Sequence, residues 1–250
     1  MREKLNLSIG ILAWNSGQTL VNTLQTYFDQ HLLHYANDVT ILFQEISPED
    51  VKIAEHFNIP YIGMATNVGI GEGFITLTEM ARTENVMVLE HDWKLIEPED
   101  VAIDRLKSGI EMLDKGYHCV RYRHREKPGF PHFSEKFNGR WLTYYDKLFE
   151  TTSPHLLDSV HWLEPDKEFP DRIQKDGDYW VTTSRYGNWT NNPCMYKRDF
   201  YLHVVKQFAG DGIDLEGNIS KWWCQNHFKV AHGAGLFMHL DEKKYGQRLK

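Results

Sequence analysis

The sequence predicts an α/β layered fold, with a mostly parallel central sheet flanked by helices. Three observations lead there. Strand-like and helix-like segments alternate at short spacing from residue 5 to residue 93, the pattern of parallel strands joined by right-handed crossovers. The stretch Asn85-Val86-Met87-Val88-Leu89-Glu90-His91-Asp92-Trp93 holds an unbroken apolar run, as expected of a strand buried on both faces, and ends in acidic residues. The 250 residues are 41% hydrophobic and 25% charged, an ordinary globular balance with enough chain for one large domain or two small ones.

Each element has a local reason. Leu5 to Leu12 reads as the first buried strand, broken at Ala13-Trp14-Asn15-Ser16-Gly17. Asn15 or Ser16 can cap a helix from about Gln18 to Gln30, whose apolar positions are Leu20, Leu24, Tyr27 and Phe28. Val39 to Phe43 is a second strand, and Ser47-Pro48 then supplies an N-cap and a first-turn proline for a helix ending near Phe57. Pro60 to Met64 is a short third strand. Gly69-Ile70-Gly71-Glu72-Gly73 opens a helix to about Arg82, but Phe74 stands where a dinucleotide loop would place its third glycine. The glycines read as a turn with close helix–strand approach, or as a helix N-terminus near a phosphate or sugar.

Beyond Trp93 the pattern predicts a helix from Glu97-Pro98-Glu99-Asp100 to about Lys115 and a strand from Tyr117 to Arg123. Arg121, Arg123, His124, Arg125 and Lys127 make the end of that strand basic, and the Pro- and Gly-containing run up to Asn138 reads as a mobile loop spanning about 124–140. That loop is either a lid over an anionic ligand or an ordinary solvated segment. Strand-like pieces follow at Trp141–Tyr145, Tyr179–Thr183 and Trp189–Tyr196, and Lys197 to Phe208 has a helical apolar stripe. Trp189, Asn191 and Asn192 combine an indole with amides, a set that suits carbohydrate but also an ordinary turn. Asp214 can cap a helix over Leu215–Phe228 with Glu216 in its first turn, a cap on one reading and a rigidly held general base on the other. The run from Lys229 to His239 reads as strand, glycine turn and strand, with His232 and His239 as buried polar groups or metal ligands.

At the end of the Val86–Leu89 run, period-two alternation would send Glu90 and Asp92 to one face. Two carboxylates there could hold Mg²⁺ or Mn²⁺, or be a solvated strand end. A net charge of −7 argues against a nucleic-acid surface. No apolar run approaches the roughly 20 residues of a transmembrane helix. Cys119, Cys194 and Cys224 lack CxxC spacing, which suggests a reducing compartment and no structural zinc. The N-terminus carries no signal core, so a cytoplasmic location is expected, with peripheral membrane association left open. Neither a G-x-S-x-G elbow nor a Walker A loop is present.

Taken together, these pieces resemble the family 2 glycosyltransferases of the GT-A fold. Ile11-Leu12-Ala13-Trp14-Asn15-Ser16-Gly17 is similar to the family's first strand and turn, and Gln44-Glu45-Ile46-Ser47-Pro48-Glu49-Asp50 stands where the family carries D-D-G-S-T-D-D. Asn67 and Gly69 match an N-x-G element, and Glu90-His91-Asp92 matches the D-x-D metal motif with Glu in the first place. Asn192-Pro193-Cys194-Met195-Tyr196-Lys197-Arg198 looks like the acceptor-facing strand-to-helix element. Asp214-Leu215-Glu216 lies where the acidic base is expected, and the late His-Gly-x-Gly run resembles the element that completes the metal site.

The resemblance implies a single GT-A domain over 1–250, with residues 1–98 binding a nucleotide diphospho-sugar and 99–250 carrying the acceptor and base. It implies an inverting, metal-dependent hexosyl- or deoxyhexosyl-type glycosyltransferase of glycan biosynthesis. The donor would be a nucleotide diphospho-sugar, UDP-sugar favoured over GDP-sugar, the acceptor a hydroxyl of a glycan or glycoconjugate, and the cofactor Mn²⁺ or Mg²⁺. Ala13, Trp14, Glu45, Asn67 and Gly69 would form the nucleotide pocket. Asp92, Glu90 and a late histidine, His232 or His239, would hold the metal. Glu216 or Asp214 would be the base, and Trp189, Asn191 and Asn192 the acceptor wall. A sugar-phosphate nucleotidyltransferase and a non-catalytic carbohydrate-binding protein are the other classes the pattern admits.

Overall fold

The computed structural model describes residues 4–129, 134–137, 140–143, 149–152, 164–210 and 214–240. Its elements follow in chain order. The first half comprises β1 Leu5–Trp14, α1 Gly17–Asp29, α2 Leu32–Tyr35, β2 Ala36–Gln44, α3 Pro48–His56, β3 Tyr61–Gly63, α4 Gly69–Met80, β4 Asn85–Glu90 and β5 Trp93–Leu95. The middle holds α5 Glu99–Asp114, β6 Cys119–Arg123, β7 Ser134–Phe137, β8 Arg140–Thr143, α6 Phe149–Thr152 and α7 Pro165–Glu168. The last stretch has β9 Gln174–Asp176, β10 Tyr179–Thr183, β11 Cys194–Lys197, α8 Arg198–Phe208, α9 Leu215–Gln225 and β12 Lys229–His239.

One sheet runs through both halves in the order β3-β2-β1-β4-β11-β6-β12-β10-β9, with β5 pairing to β12. From β3 to β4 every pairing is parallel, so the carboxyl ends of β1, β2 and β4 lie along one edge. β11 then enters antiparallel between β4 and β6, and β12 lies parallel to β6. The insertion of β11 makes the second half of the sheet mixed, an order no local pattern encodes.

Helices cover both faces, as the predicted layers require. On one face Leu7, Ile9 and Ile11 of β1 and Met87 and Leu89 of β4 pack against Leu20, Leu24 and Tyr27 of α1 and Leu106 of α5. On the other, Leu12, Val86 and Val88 pack against Phe74 of α4, Val204 and Val205 of α8 and Trp223 of α9. Because side chains of a strand alternate, β4 feeds both clusters, and Val86 to Leu89 are all buried. Each such side chain contributes about 1.5–3 kcal/mol relative to exposure.

The local signals hold with specific adjustments. Ser47 caps α3 in a capping box with Asp50, and Pro48 sits in the first turn. Ser16 occupies the N-cap of α1, but its hydroxyl makes no cap hydrogen bond. The glycines of α4 serve close approach: a Cβ on Gly71 would stand 2.9 Å from Ala209 Cα, and one on Gly73 2.6 Å from Leu12 Cδ1. The expected strand over Trp189–Tyr196 shortens to β11, because Trp189 to Pro193 form an irregular approach to it. The expected strand–turn–strand at the end is one strand, β12. It bulges between His232 and Phe237, where Gly235 has φ 85°.

The basic residues at the end of β6 and just after it are not solvated. Arg121, Arg123, His124 and Arg125 are all buried. Gly129 bridges to His239, and the rest of the expected mobile loop lies partly outside the described residues. Of the strand expected at Trp141–Tyr145, Arg140–Thr143 pairs with Ser134–Phe137, and 144–145 lie outside the described residues. Cys119, Cys194 and Cys224 are free and buried. Among the described residues no helix is long and apolar enough to cross a membrane.

Candidate functional site

The carboxyl ends of β1 and β2 form the first part of the site. Trp14 Nε1 donates to Glu45 Oε2 at 2.8 Å across the two strand ends. Trp14, Asn15, Ser16, Gly17, Glu45 and the capping box of α3 enclose a cleft of about 200 Å³. Asn15 and Glu45 both take left-handed backbone conformations, φ 51° and 52°, which turn the chain sharply out of each strand. For a residue such as Glu this conformation costs on the order of 1–3 kcal/mol and tends to mark functional turns. Ala13 does not line this cleft; its methyl is fully buried in the α1 layer, so the expectation that it borders a ligand is corrected.

The turn before α4 is tied to the same edge. Gln44 Oε1 accepts from Val68 N at 2.7 Å, and Asn67 Oδ1 accepts from Gly69 N at 2.8 Å. Asn67 thus shapes its own turn, and Gly69, at φ 84°, supplies the left-handed residue that starts the helix.

At the end of β4 the alternation from which the pairing of Glu90 with Asp92 is read breaks off. Strand pairing stops at Glu90, opposite Leu12, and His91 and Asp92 lie in a turn before β5. Strand alternation thus places Glu90 but not Asp92.

Asp92 instead meets His239: Nε2 lies 3.0 Å from Asp92 Oδ2. Asp92 is buried, and its other oxygen, Oδ1, has no hydrogen-bond partner among the described residues. Burial pushes the Asp92 carboxyl up, but the hydrogen bond and charge of His239, with the charge of His91, outweigh it and hold the group below the usual carboxylate range. His232 is placed elsewhere. Its ring is fully buried, and Nε2–H donates to the Arg123 carbonyl at 2.7 Å, which makes it a core group.

Among the described residues no three His, Cys, Asp or Glu side chains gather to hold a metal ion. A cage of that kind is not what a diphosphate-bound cation requires, since Mg²⁺-type sites commonly use one or two carboxylates with phosphate oxygens and water. An ionised Asp92 with one orphaned buried oxygen and an imidazole beside it fits such a partial site.

Farther along the chain, α9 brings Glu216 to the 189–192 segment. Asn191 N donates to Glu216 Oε1 at 2.6 Å, and Glu216 is otherwise exposed. Asp214 is the N-cap, with Oδ1 accepting from Gly217 N at 2.9 Å. Asn192 N donates to Thr190 Oγ1 at 3.1 Å, closing the turn. Trp189 is corrected: at 2% exposure its ring stacks on Tyr196 and Tyr201 and meets Trp223 edge-on, so it offers no face to a sugar. Arg121 Nη2 donates to the Asn188 carbonyl and anchors this segment to β6.

Residues that sequence reasoning passed over complete the surroundings. Glu97 Oε1 accepts from His124 Nε2 at 2.8 Å and from Arg105 Nη1 at 2.9 Å, tying α5 to the end of β6. Tyr27 donates its hydroxyl to the Trp93 carbonyl next to Asp92. Of these, Trp93 carried a signal in its place directly after the acidic motif, and His124 in its place within the basic run.

No family model matches the sequence, and no curated protein matches it. Solved structures do. GalNAc-T7 with UDP, GalNAc and Mn²⁺ superposes with a TM-score of 0.60 at 11% identity, over 96% of this chain and 45% of that one. The S. aureus TarS 1–349 structure gives a TM-score of 0.53 at 13% identity, over 96% of this chain and 61% of that one; TarS was also solved with UDP-GlcNAc. Glucosyl-3-phosphoglycerate synthase from Mycobacterium tuberculosis, with Mn²⁺, UDP and glucosyl-3-phosphoglycerate, gives 0.50 at 13%, over 94% of this chain and 72% of that one. The chain spans about three fifths of the TarS 1–349 length and less than half of GalNAc-T7. These likenesses show the fold: the chain has the GT-A fold, a central sheet of mostly parallel strands flanked by helices.

Proposed function

We propose that this protein is an inverting, divalent-metal-dependent glycosyltransferase that moves a sugar from a UDP-sugar to a hydroxyl of a glycan or glycoconjugate. The observation that supports the reading most is the convergence of two arrangements on one sheet edge. The Trp14–Glu45 cleft and the Asp92–His239 pair stand at the carboxyl ends of neighbouring parallel strands, where ligands of open α/β sheets bind. The structural likeness to proteins crystallised with UDP, UDP-GlcNAc and Mn²⁺ supports the same class of donor.

In this reading the cleft takes the nucleoside, with the Trp14 indole as an apolar wall and Glu45 as acceptor for base or ribose donors. Asp92 and His239 would hold the cation, which when bound neutralises charge developing on the departing diphosphate. Asp92, ionised and buried, supplies fixed negative charge for it. Glu216 is the base. Its carboxylate takes the proton of the acceptor hydroxyl as that oxygen attacks the anomeric carbon from the face opposite the diphosphate, which inverts the configuration. Asp214 is engaged in capping α9, so the role falls to Glu216. The hydrogen bond from Asn191 orients Glu216 toward the segment expected to meet the acceptor.

Thermal melting with UDP- and GDP-sugars, each with Mn²⁺ or with EDTA, tests this. A ligand that binds only the folded state raises apparent stability, by about 2.7 kcal/mol at a hundredfold excess over Kd. A UDP-sugar with Mn²⁺ is expected to raise the melting temperature, and EDTA to remove most of the gain. No shift with any nucleotide sugar would overturn the reading.

A further inference from the structure

We propose that Trp93 and Arg123 are positioning residues that hold His239 in line with Asp92. The inference rests on the functional reading above, in which Asp92 and His239 bind the cation. His239 is a partly exposed side chain at the end of β12, 23% open to solvent, with two rotatable bonds. Left to itself its ring would sample several rotamers, and only some bring Nε2 to Asp92.

Three features remove that freedom. The Trp93 indole lies against the imidazole, ring centroids 4.5 Å apart and planes 32° apart. Trp93 is itself immobile. It is 1% exposed, it pairs with His239 in the β5–β12 ladder, and its carbonyl receives the Tyr27 hydroxyl. The Arg123 guanidinium carbon stands 5.3 Å from the centroid of the Trp93 ring.

Arg123 also reaches the backbone of His239 by a second route. Its Nε donates to the Pro128 carbonyl at 2.9 Å, and that same oxygen accepts from His239 N at 3.2 Å. Arg123 therefore braces both the indole that His239 stacks on and the carbonyl that fixes its main chain. The Trp93 Nε1 is buried without a hydrogen-bond partner among the described residues, so the indole serves this place by its ring face. A phenyl ring would keep much of that face, and an aliphatic side chain would not.

The test measures Mn²⁺ affinity directly, by the electron paramagnetic resonance of free Mn²⁺ titrated with protein in the presence of UDP, alongside melting and circular dichroism. Trp93→Leu is expected to weaken Mn²⁺ binding on the order of tenfold or more, the range seen when groups that orient metal ligands are removed. Trp93→Phe is expected to restore most of the affinity, and Arg123→Met to weaken it by a smaller factor than Trp93→Leu does. Wild-type Mn²⁺ affinity in a folded Trp93→Leu protein overturns the proposal. Should that variant not fold, Arg123→Met decides, and unchanged affinity there overturns it too. Failure of the wild-type protein to bind Mn²⁺ with UDP would be a different result, since it removes the metal reading itself.

Discussion

Asp92 and His239 meet at 3.0 Å although 147 residues separate them in sequence. The contact is made by strand pairing: β5 sets Trp93 opposite His239, and Leu240 N donates to the Asp92 carbonyl at 2.8 Å. The pair is thus built into the closing strand of the sheet. Asp92→Asn should lower Mn²⁺ affinity in the presence of UDP at least about tenfold. It should also reduce stability by about 1.5–3 kcal/mol, the range for a hydrogen bond to a charged group. His232→Gln should lose stability through the Arg123 carbonyl and leave Mn²⁺ affinity unchanged. Metal titration and urea unfolding of both variants separate the two histidines.

Glu216 and Asp214, two residues apart, have different tasks. Glu216→Gln retains an acceptor for Asn191 N but cannot take a proton, so donor binding should persist while transfer falls by about 10²–10⁴-fold. Asp214→Ala removes the cap of α9 and should cost about 1 kcal/mol of stability with kcat little changed. Donor binding by calorimetry and single-turnover transfer on both variants would show an exchange of roles if the Asp214 variant were the inactive one.

The parts of this structure that were legible in the sequence are those written locally. Ser47-Pro48 and Asp50 announce a capped helix within four residues, and Trp14 and Glu45 follow two buried strands whose parallel pairing puts their ends side by side. What was not legible depends on how distant strands pair. Glu90 and Asp92 share a parity in sequence, yet the strand ends between them, so parity stops carrying information. The run Arg121 to Arg125 looks solvated in sequence but is buried, because β6 is flanked by β11 and β12 and its end finds Asn188, Pro128 and Glu97 as partners. Trp189 with its amide neighbours reads the same whether the ring faces outward to a ligand or inward to Tyr196 and Tyr201.

The inward placement of Trp189 gives a distinct expectation. Trp189→Ala should destabilise the protein by about 3–5 kcal/mol, as for a large aromatic removed from a packed core. If the ring instead bound acceptor, the dominant effect would be a raised acceptor KM with stability little changed. Denaturant unfolding with acceptor kinetics on the same variant distinguishes the two outcomes.

Glu97 offers a test in pH. Burial raises its carboxyl, but the hydrogen bonds and charges of His124 and Arg105 more than offset this, so it titrates below its ordinary value of 4.5. A carboxylate with a depressed folded-state pKa stabilises the protein above its unfolded-state value, and that stabilisation is lost as pH falls through the folded-state value. Glu97→Gln should therefore be less stable than wild type at pH 7 by about 1.5 kcal/mol, the low end for a charged hydrogen bond because the side chain is 19% exposed. The gap should narrow below pH 4.5 and close once Glu97 is protonated in both states. Urea unfolding of both proteins from pH 7 to pH 3 reads the difference, and a gap that stayed constant across that range would show that the Glu97 charge does not link α5 to the end of β6.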